Sequence, residues 1–227
     1  MCGRYTLTVP PSAIATAFGL TSVPALQPRY NIAPTQAAAI VRAAAAGGER
    51  TLDSAHWGLI PSWAKDPSIG VRLINARAET LSEKPAFRTA LQRRRCLVPA
   101  DGFIEWVADG KLKQPWWITL QTREPFAFAG LWESWKPKDA AAPIESFTIV
   151  TTEANDSVRA VHTRMPVMLP PEAHEDWLDP ERRDTSALIS WLAPCAWAKL
   201  RLQPISRRIN NARNDDLECI APQIASE

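Results

Sequence analysis

Short runs of apolar and β-branched residues recur along most of the chain, separated by prolines and polar turns. Runs of this length and composition are typical of strands rather than helices. Strands are therefore predicted at residues 2–7, 37–42, 52–59, 72–77, 95–99, 103–107, 116–121, 126–132 and 147–152. Gly47 and Gly48, between two of these runs, predict a hairpin tip.

A smaller number of segments has a helical pattern. Helices are predicted at residues 13–18, 85–92, 170–177 and 184–191, with Ser12 as the N-cap of the first and Gly19 as its end. Residues 29–34 are predicted to be a proline-spaced connector. Because strands outnumber helices, we expect an α+β fold with a long, mainly antiparallel sheet that curls on itself.

Length and linkers bear on domain organisation. The 227 residues fit one large domain or two small ones. The sequence has no long Gly/Ser-rich or charge-rich linker and no repeat of solenoid period. We therefore expect residues 1–227 to form a single domain.

Composition and charge exclude several classes of protein. The 26 basic and 24 acidic side chains give a net charge of +2, so any nucleic-acid interface must be local. No apolar run reaches the roughly 18 residues of a membrane span, and the N-terminus lacks a secretory pattern, so we expect a cytoplasmic protein without membrane contacts. The spacing of the four cysteines and three histidines predicts neither a metal site nor a disulfide framework.

Cys2 is the first candidate for chemistry. Initiator methionine is usually removed when a small residue follows it, and removal of Met1 would place a free α-amine beside the Cys2 thiol. The α-amine has a pKa of roughly 8, so part of it is neutral and nucleophilic near pH 7. Such an aminothiol can condense with an aldehyde to an imine and close to a thiazolidine ring. Alternatively, Cys2 is an ordinary small residue at the start of a strand.

Glu105 lies among apolar neighbours in a predicted strand. Its side chain shares one face of that strand with Phe103 and Val107. Apolar surroundings raise the pKa of a carboxyl group, which suits proton donation and return near neutral pH. If the strand were an edge strand, Glu105 would instead point into water.

His162 and Arg164 are two residues apart in an apolar segment. In extended backbone this spacing places an imidazole and a guanidinium on one face, which suits acid–base chemistry beside a phosphate. A buried histidine with a structural role is the alternative.

Asn75 and Arg77 have the same spacing, with Ile74 and Ala76 expected to pack behind them. The amide can orient a hydroxyl or an amine, and Arg77 together with Arg4 could hold phosphates in a bidentate manner. Arg77 could instead form a weak, exposed ion pair with Glu79.

Trp63 is the tryptophan that we expect to be most exposed. Most of the ten tryptophans must belong to the core, but Trp63 follows a Pro-Ser turn and precedes a polar loop. An exposed indole can form a stacking platform for unpaired bases.

Six short motifs occur in order along the chain: CGRY at residues 2–5, YNIAP at 30–34, WGL at 57–59, INARAE at 74–79, GFIEW at 102–106 and HTRMP at 162–166. Together they resemble the SOS-response-associated peptidase (SRAP) family of abasic-site-processing proteins. The resemblance covers residues 2 to about 211. It implies a bifurcated, mainly antiparallel β-sheet that forms a pseudo-barrel with peripheral helices.

The resemblance also implies a reaction. Cys2, after loss of Met1, would form a thiazolidine with the ring-opened sugar of an abasic site in single-stranded DNA and thereby shield the lesion. Asn75 would position the amine and the sugar, Glu105 would promote ring opening, and His162 would assist imine formation and ring closure. Lyase activity through the imine and limited self-cleavage are expected side activities.

The implied partner is single-stranded DNA that contains abasic sites. Arg4, Arg77 and Arg164 would hold the flanking phosphates, and Trp63 would stack on a base. No cofactor is implied, and one covalent site per chain requires only a monomer. A cytoplasmic protein with this partner would be associated with the nucleoid when it is bound to DNA.

Two other hypotheses remain open. Cys2 could be the nucleophile and His162 the base of a thiol peptidase, which would remain active with Met1 retained. Alternatively, the same arginines and aromatic residues could bind single-stranded or modified DNA without covalent chemistry. Such binding would be sensitive to salt and unaffected by Cys2→Ala.

Overall fold

The computed structural model describes residues 2–44, 49–137 and 141–223. These residues form two β-sheets surrounded by short helices, which confirms the α+β class. The strands are β1 Tyr5–Leu7, β2 Arg29–Ile32, β3 Ala37–Ala43, β4 Arg50–Trp57, β5 Asn75–Arg77, β6 Arg95–Ala100, β7 Gly102–Asp109, β8 Leu112–Leu120, β9 Phe126–Trp135, β10 Ile144–Glu153, β11 Arg164–Pro166, β12 Met168–Leu169 and β13 Leu200–Pro204.

Five strands of the larger sheet close into a barrel. They follow the order β10-β4-β3-β6-β9, and β9 pairs again with β10 to complete the ring. All neighbouring pairs in the ring are antiparallel except β10 with β4. The expected mainly antiparallel pseudo-barrel is therefore confirmed.

Strand β10 changes partners along its length. On one edge, Ser146 and Phe147 pair with β4, whereas residues 149–151 pair in parallel with β5. On the other edge, residues 144–149 pair with β9 and residues 151–153 pair with β11. The short strands β5 and β11 therefore lie on either side of the last part of β10.

The second sheet has the order β13-β8-β7-β1-β2 and is antiparallel throughout. Tyr5 of β1 fastens it to the barrel, because its ring packs edge-on against Trp57 of β4 at 5.2 Å and Phe128 of β9 at 5.9 Å between ring centroids. All three side chains are fully buried. Aromatic edge-to-face packing of this kind adds to the stabilisation gained from burial.

Some predicted strands differ from the observed ones. Residues 29–34, predicted to be a connector, contain strand β2, which pairs with β1. Of the run predicted at 72–77, Arg72 ends the 3₁₀ helix Pro67–Arg72, and the strand is limited to Asn75–Arg77. Strands β11, β12 and β13 were not predicted. The predicted hairpin tip at Gly47 and Gly48 lies outside the described residues.

The α-helices are short, and α3 was not predicted. They are α1 Pro11–Phe18, α2 Pro85–Arg93, α3 Asp156–Arg159, α4 His174–Leu178 and α5 Ser186–Ile189. Ser12 is not the N-cap of α1, because the helix begins at Pro11, whose fixed φ suits the first turn. Gly19 ends α1 in a left-handed conformation (φ 62°), as predicted. Within the described ranges, no helix is long and apolar enough to cross a membrane.

Asp101 fixes the start of the second sheet. Its carboxylate accepts hydrogen bonds from the hydroxyl of Thr6 (2.5 Å), from the backbone N–H (2.5 Å) and hydroxyl (2.6 Å) of Thr8, and from the N–H of Val9 (3.1 Å). Asp101 is buried, so these donors would otherwise lose their solvation. The carboxylate therefore holds the turn before β7 against the strand that follows Cys2.

We expect Asp101→Asn to lower the free energy of unfolding by about 1 to 3 kcal/mol, because an amide NH₂ would face N–H donors. Urea denaturation measures this loss. Asp109→Asn is the matched control: Asp109 is exposed and, among the described residues, forms an ion pair with Arg207 alone, so the loss should be below about 1 kcal/mol. Equal losses in the two variants would contradict the anchoring role of Asp101.

Candidate functional site

Cys2 lies immediately before β1 and is fully buried. Its carbonyl oxygen accepts a hydrogen bond of 2.8 Å from Nδ2 of Asn75. Burial raises the pKa of the Cys2 thiol, and the negative charge of Glu105 raises it further. The amide of Asn75 therefore holds Cys2 in place through its backbone carbonyl.

Asn75 reaches Cys2 because β5 pairs in parallel with the last part of β10. Ala76 is buried behind it while Arg77 is exposed, which confirms the predicted alternation of this segment. Oδ1 of Asn75 is buried and has no hydrogen-bond partner within the described residues. The structure thus places an available acceptor within the same side chain that holds Cys2.

Glu105 lies near the middle of β7, between β8 and β1. Its side chain is only 2% exposed, and this burial raises the pKa of the carboxyl to about 7. The predicted loss of solvation is therefore confirmed, and the edge-strand alternative is wrong. At neutral pH, Glu105 can both donate and accept a proton.

His162 is next to Glu105, with 4.0 Å between Nε2 and Oε2. Its Nδ1 accepts a hydrogen bond of 2.9 Å from the backbone N–H of Arg164. The Nδ1 atom also lies 3.1 Å from the carbonyl oxygen of Arg164, so its backbone contacts are compatible with either neutral tautomer, and Nε2 is directed towards Glu105. Burial lowers the pKa of His162, which favours the neutral ring.

The predicted extended face of His162 and Arg164 is not observed. The backbone N–H of His162 donates to the carbonyl of Val158 (2.9 Å), so His162 ends the turn that follows α3, and β11 begins only at Arg164. The guanidinium of Arg164 turns away to Glu79 (2.5 Å) and to the carbonyl of Thr151 (2.8 Å). The two residues are neighbours through the backbone rather than through a common face.

The three arginines assigned to phosphates differ in their surroundings. Arg4 is partly buried, and its Nε donates to Oδ1 of Asn31 at 2.9 Å. Arg164 forms an ion pair with Glu79, which was the alternative partner considered for Arg77. Arg77 is exposed, and no hydrogen bond to another described residue holds its guanidinium.

Trp63 is 59% exposed, more than Trp197 at 39%, as predicted. It lies on the loop between β4 and the 3₁₀ helix Pro67–Arg72, beside Ala64, whose carbonyl accepts a hydrogen bond from Trp135. Cys2, Asn75, Glu105 and His162 come together in one cluster. Trp63 is not linked to that cluster by a hydrogen bond or ring contact between described residues.

Two contacts of the site were not expected from the sequence. Asn31 belongs to the YNIAP motif and was not predicted to be a site residue, yet it is fully buried and accepts a hydrogen bond from Arg4. Trp106, next to Glu105, lies 5.9 Å from the Arg4 guanidinium, measured to its ring centroid. A polar residue between Tyr30 and Ile32 was the one local signal of an inward-facing amide.

The cluster combines groups suited to proton transfer beside a nucleophile. Glu105 can exchange a proton near pH 7, the His162 ring directs Nε2 towards Glu105, and Asn75 orients Cys2. The part of the chain that the structure describes contains no group of three or more His, Cys, Asp or Glu that could hold a metal ion. The chemistry that these residues offer is acid–base and nucleophilic.

Comparison with known proteins identifies the family. The profile of the family described as SOS response associated peptidase (SRAP) matches residues 1–212. The abasic site processing protein YoqW of Bacillus subtilis (strain 168) is 41% identical over 224 residues, which cover 97% of this chain and 99% of that protein. The abasic site processing protein YedK of Escherichia coli (strain K12) is 32% identical over 199 residues, covering 86% and 84%.

A solved structure has the same fold. The crystal structure of a Bacteroides thetaiotaomicron protein superposes with a TM-score of 0.86 at 26% identity and covers 98% of this chain and all of that chain. The family profile alone covers well over half of the sequence. The chain therefore belongs to the SOS response associated peptidase family.

Proposed function

We propose that the protein processes abasic sites in DNA by forming a covalent thiazolidine between Cys2 and the ring-opened sugar in single-stranded DNA. The names of its relatives support abasic-site processing. The observation that carries the chemical proposal is the cluster of Cys2, Asn75, Glu105 and His162. The proposal treats residues 1–227 as one functional domain.

Ring opening comes first. The closed abasic sugar is a hemiacetal, so opening removes a proton from the anomeric hydroxyl and delivers one to the ring oxygen. Glu105 can carry out both transfers, because burial brings the pKa of its carboxyl to about 7. The product is an aldehyde beside Cys2.

The cross-link then forms in two steps. The α-amine of Cys2, bared by removal of Met1, adds to the aldehyde carbon, and the carbinolamine loses water to give an imine. The thiol next adds to that carbon while its proton passes to nitrogen, which closes the ring. Water is the only leaving group, and His162 and Glu105 supply and collect the protons.

The DNA path uses the exposed groups around this cluster. Arg77 is exposed and its charge attracts Glu79 without a close ion pair among the described residues, whereas the Arg164 guanidinium must leave or share Glu79 to bind a phosphate. Arg4, two residues from Cys2, is the third arginine proposed to bind a phosphate. Trp63 provides an exposed surface for an unpaired base.

The thiol peptidase is the less supported alternative. A cysteine nucleophile normally needs a lowered pKa and an imidazole partner. Burial instead raises the pKa of Cys2, and Nε2 of His162 is directed towards Glu105. In the proposed reaction the thiol acts only after the imine has formed beside it, so a preformed thiolate is not required.

We expect wild-type protein that lacks Met1 to form a heat-stable, one-to-one adduct with single-stranded DNA that carries one abasic site. Cys2→Ala should form none while retaining most of the DNA affinity. Intact mass spectrometry reports both the loss of Met1 and the adduct. Cys195→Ala is the control for loss of a buried thiol outside the cluster. Adduct formation by Cys2→Ala would contradict the proposal.

Glu105→Gln should slow adduct formation by about 10² to 10⁴-fold, the usual contribution of general acid–base catalysis. The wild-type rate should change slope near pH 7, where Glu105 titrates, and the variant should lack that inflection. Single-turnover rates between pH 5.5 and 8.5 provide the test. An identical pH profile for both proteins would exclude Glu105 as the proton-transfer group.

The same raised pKa has a consequence for stability. Between pH 4.5, the ordinary pKa of a glutamate, and about pH 7, folded Glu105 keeps a proton that the unfolded chain has released. The contribution of Glu105 to the free energy of unfolding therefore falls as pH rises through this window. The free energy of unfolding of Glu105→Gln, taken relative to that of wild type, should therefore rise by up to about 3 kcal/mol between pH 4.5 and 8. Urea denaturation at both pH values measures it, with the exposed Glu83→Gln as control. A stability difference between variant and wild type that does not change with pH would argue against the raised pKa of Glu105.

Arg77→Ala should weaken binding to undamaged single-stranded DNA and reduce the slope of log affinity against log salt by about 0.7, the value for one phosphate contact. Arg93→Ala, at an exposed arginine of α2, is the matched loss of charge and should leave the slope nearly unchanged. Fluorescence anisotropy at several salt concentrations measures both slopes. A slope that Arg77→Ala does not alter would remove Arg77 from the DNA path.

A further inference from the structure

We propose that residues 209–215, the C-terminal clamp, position Arg4 for a backbone phosphate next to the reactive carbon, with Asn31 and Trp106 as the positioning residues. The inference rests on the proposed function and assigns a role to two sequence motifs that the reaction itself does not use. These are the segment around Asn31 and the segment after Pro204.

The side chain of Asn31 connects the clamp to Arg4. It is fully buried, and Nδ2 faces three carbonyl oxygens of the clamp, those of Ile209 (3.2 Å), Asn211 (3.0 Å) and Asn214 (2.7 Å). Only an NH₂ group can face three acceptors, so the orientation of the amide is fixed. Oδ1 must then point the other way, where it accepts from Nε of Arg4 at 2.9 Å.

The clamp also holds the backbone on which Asn31 lies. The carboxylate of Asp215 accepts hydrogen bonds from the backbone N–H groups of Tyr30 (2.5 Å) and Asn31 (2.9 Å) and from the guanidinium of Arg29. These bonds fix β2 at the edge of the second sheet. Asn31 is therefore held at both its backbone and its side chain by one segment that is about 180 residues away in sequence.

Trp106 provides a second contact to Arg4 and is held by the same clamp. The Arg4 guanidinium lies 5.9 Å from the Trp106 ring centroid, within the range of a cation–π contact. Nε1 of Trp106 donates to Oδ1 of Asn210 at 2.7 Å. The clamp thus fixes the amide and the ring that contact Arg4.

This arrangement suits the capture of an anion. The groups that hold Arg4 are neutral, so its positive charge is positioned without being neutralised. Nε donates to Asn31 and Nη1 donates to the carbonyl of Gly3 at 3.4 Å, so Nη2 is the terminal nitrogen without a hydrogen bond to another described residue and is the one offered to a ligand. Arg4 is two residues from Cys2, so a phosphate bound there is placed at a defined distance from the α-amine.

A double-mutant cycle tests this coupling. Asn31→Ala should weaken binding to undamaged single-stranded DNA by about tenfold in the wild-type background and should have little further effect in Arg4→Ala. It should also slow adduct formation at saturating DNA, because the phosphate is no longer held in register. A purely structural role for Asn31 would weaken binding equally in both backgrounds, and that result would overturn the inference.

Asn210→Ala tests the same inference if Asn31→Ala fails to fold. The Asn210 side chain is exposed and accepts the hydrogen bond from Trp106, so its loss should not affect folding. The variant should weaken binding in the same non-additive way, to a smaller extent. Arg208→Ala is the matched control just outside the clamp: it removes the exposed pair with Asp216 and should leave affinity and rate unchanged. Equal effects of Asn210→Ala and Arg208→Ala would overturn the inference.

The cycle separates this inference from the proposed function. If wild type binds DNA without forming an adduct, the covalent proposal fails, while non-additive affinities still support the clamp. If wild type forms the adduct and the affinities are additive, the clamp alone is wrong. Absence of DNA binding by the wild type would overturn both.

Discussion

The exchange of partners along β10 is the constraint on which the site depends. A strand that kept β4 and β9 along its whole length would complete the barrel and leave no place for β5 and β11. Because β10 extends beyond both neighbours, its last residues pair with Asn75–Arg77 on one edge and with Arg164–Pro166 on the other. The hydrogen bond from Asn75 to the Cys2 carbonyl is a consequence of this pairing, since it requires β5 to face the segment before β1.

Burial then sets the chemistry of the groups that this framework brings together. Glu105 lies in the interior of the second sheet, so its charged form loses solvation and its pKa rises to about 7. The same loss of solvation lowers the pKa of His162, so a neutral imidazole faces a carboxyl group that is half protonated near pH 7. One physical cause therefore acts in opposite directions on an acid and a base, and together they hold a transferable proton beside Cys2.

The sequence predicts the parts of this site that depend on local pattern. The apolar residues around Glu105 were enough to predict that its carboxyl loses solvation, and the spacing in the segment of Asn75 and Arg77 was enough to predict that Ala76 packs behind them. The partner of Arg164 was not predicted, because Glu79 is 85 residues away and no local pattern joins them. Strand β2 was missed for a related reason: the flanking prolines Pro28 and Pro34 suggested a connector, and the pairing with β1 and the bonds to Asp215 come from distant segments.

The contrast between Arg4 and Arg164 shows how non-local contacts determine what an arginine can do. The charge of Arg164 is already balanced by Glu79, so a phosphate that binds there must compete with a carboxylate. Arg4 is held by the amide of Asn31 and the ring of Trp106, and its charge is partly desolvated without being balanced. A partly desolvated cation gains more from an anion than a hydrated one does, because less water has to be displaced. The strongest attraction for a phosphate should therefore lie beside Cys2 and not at the outer rim of the site.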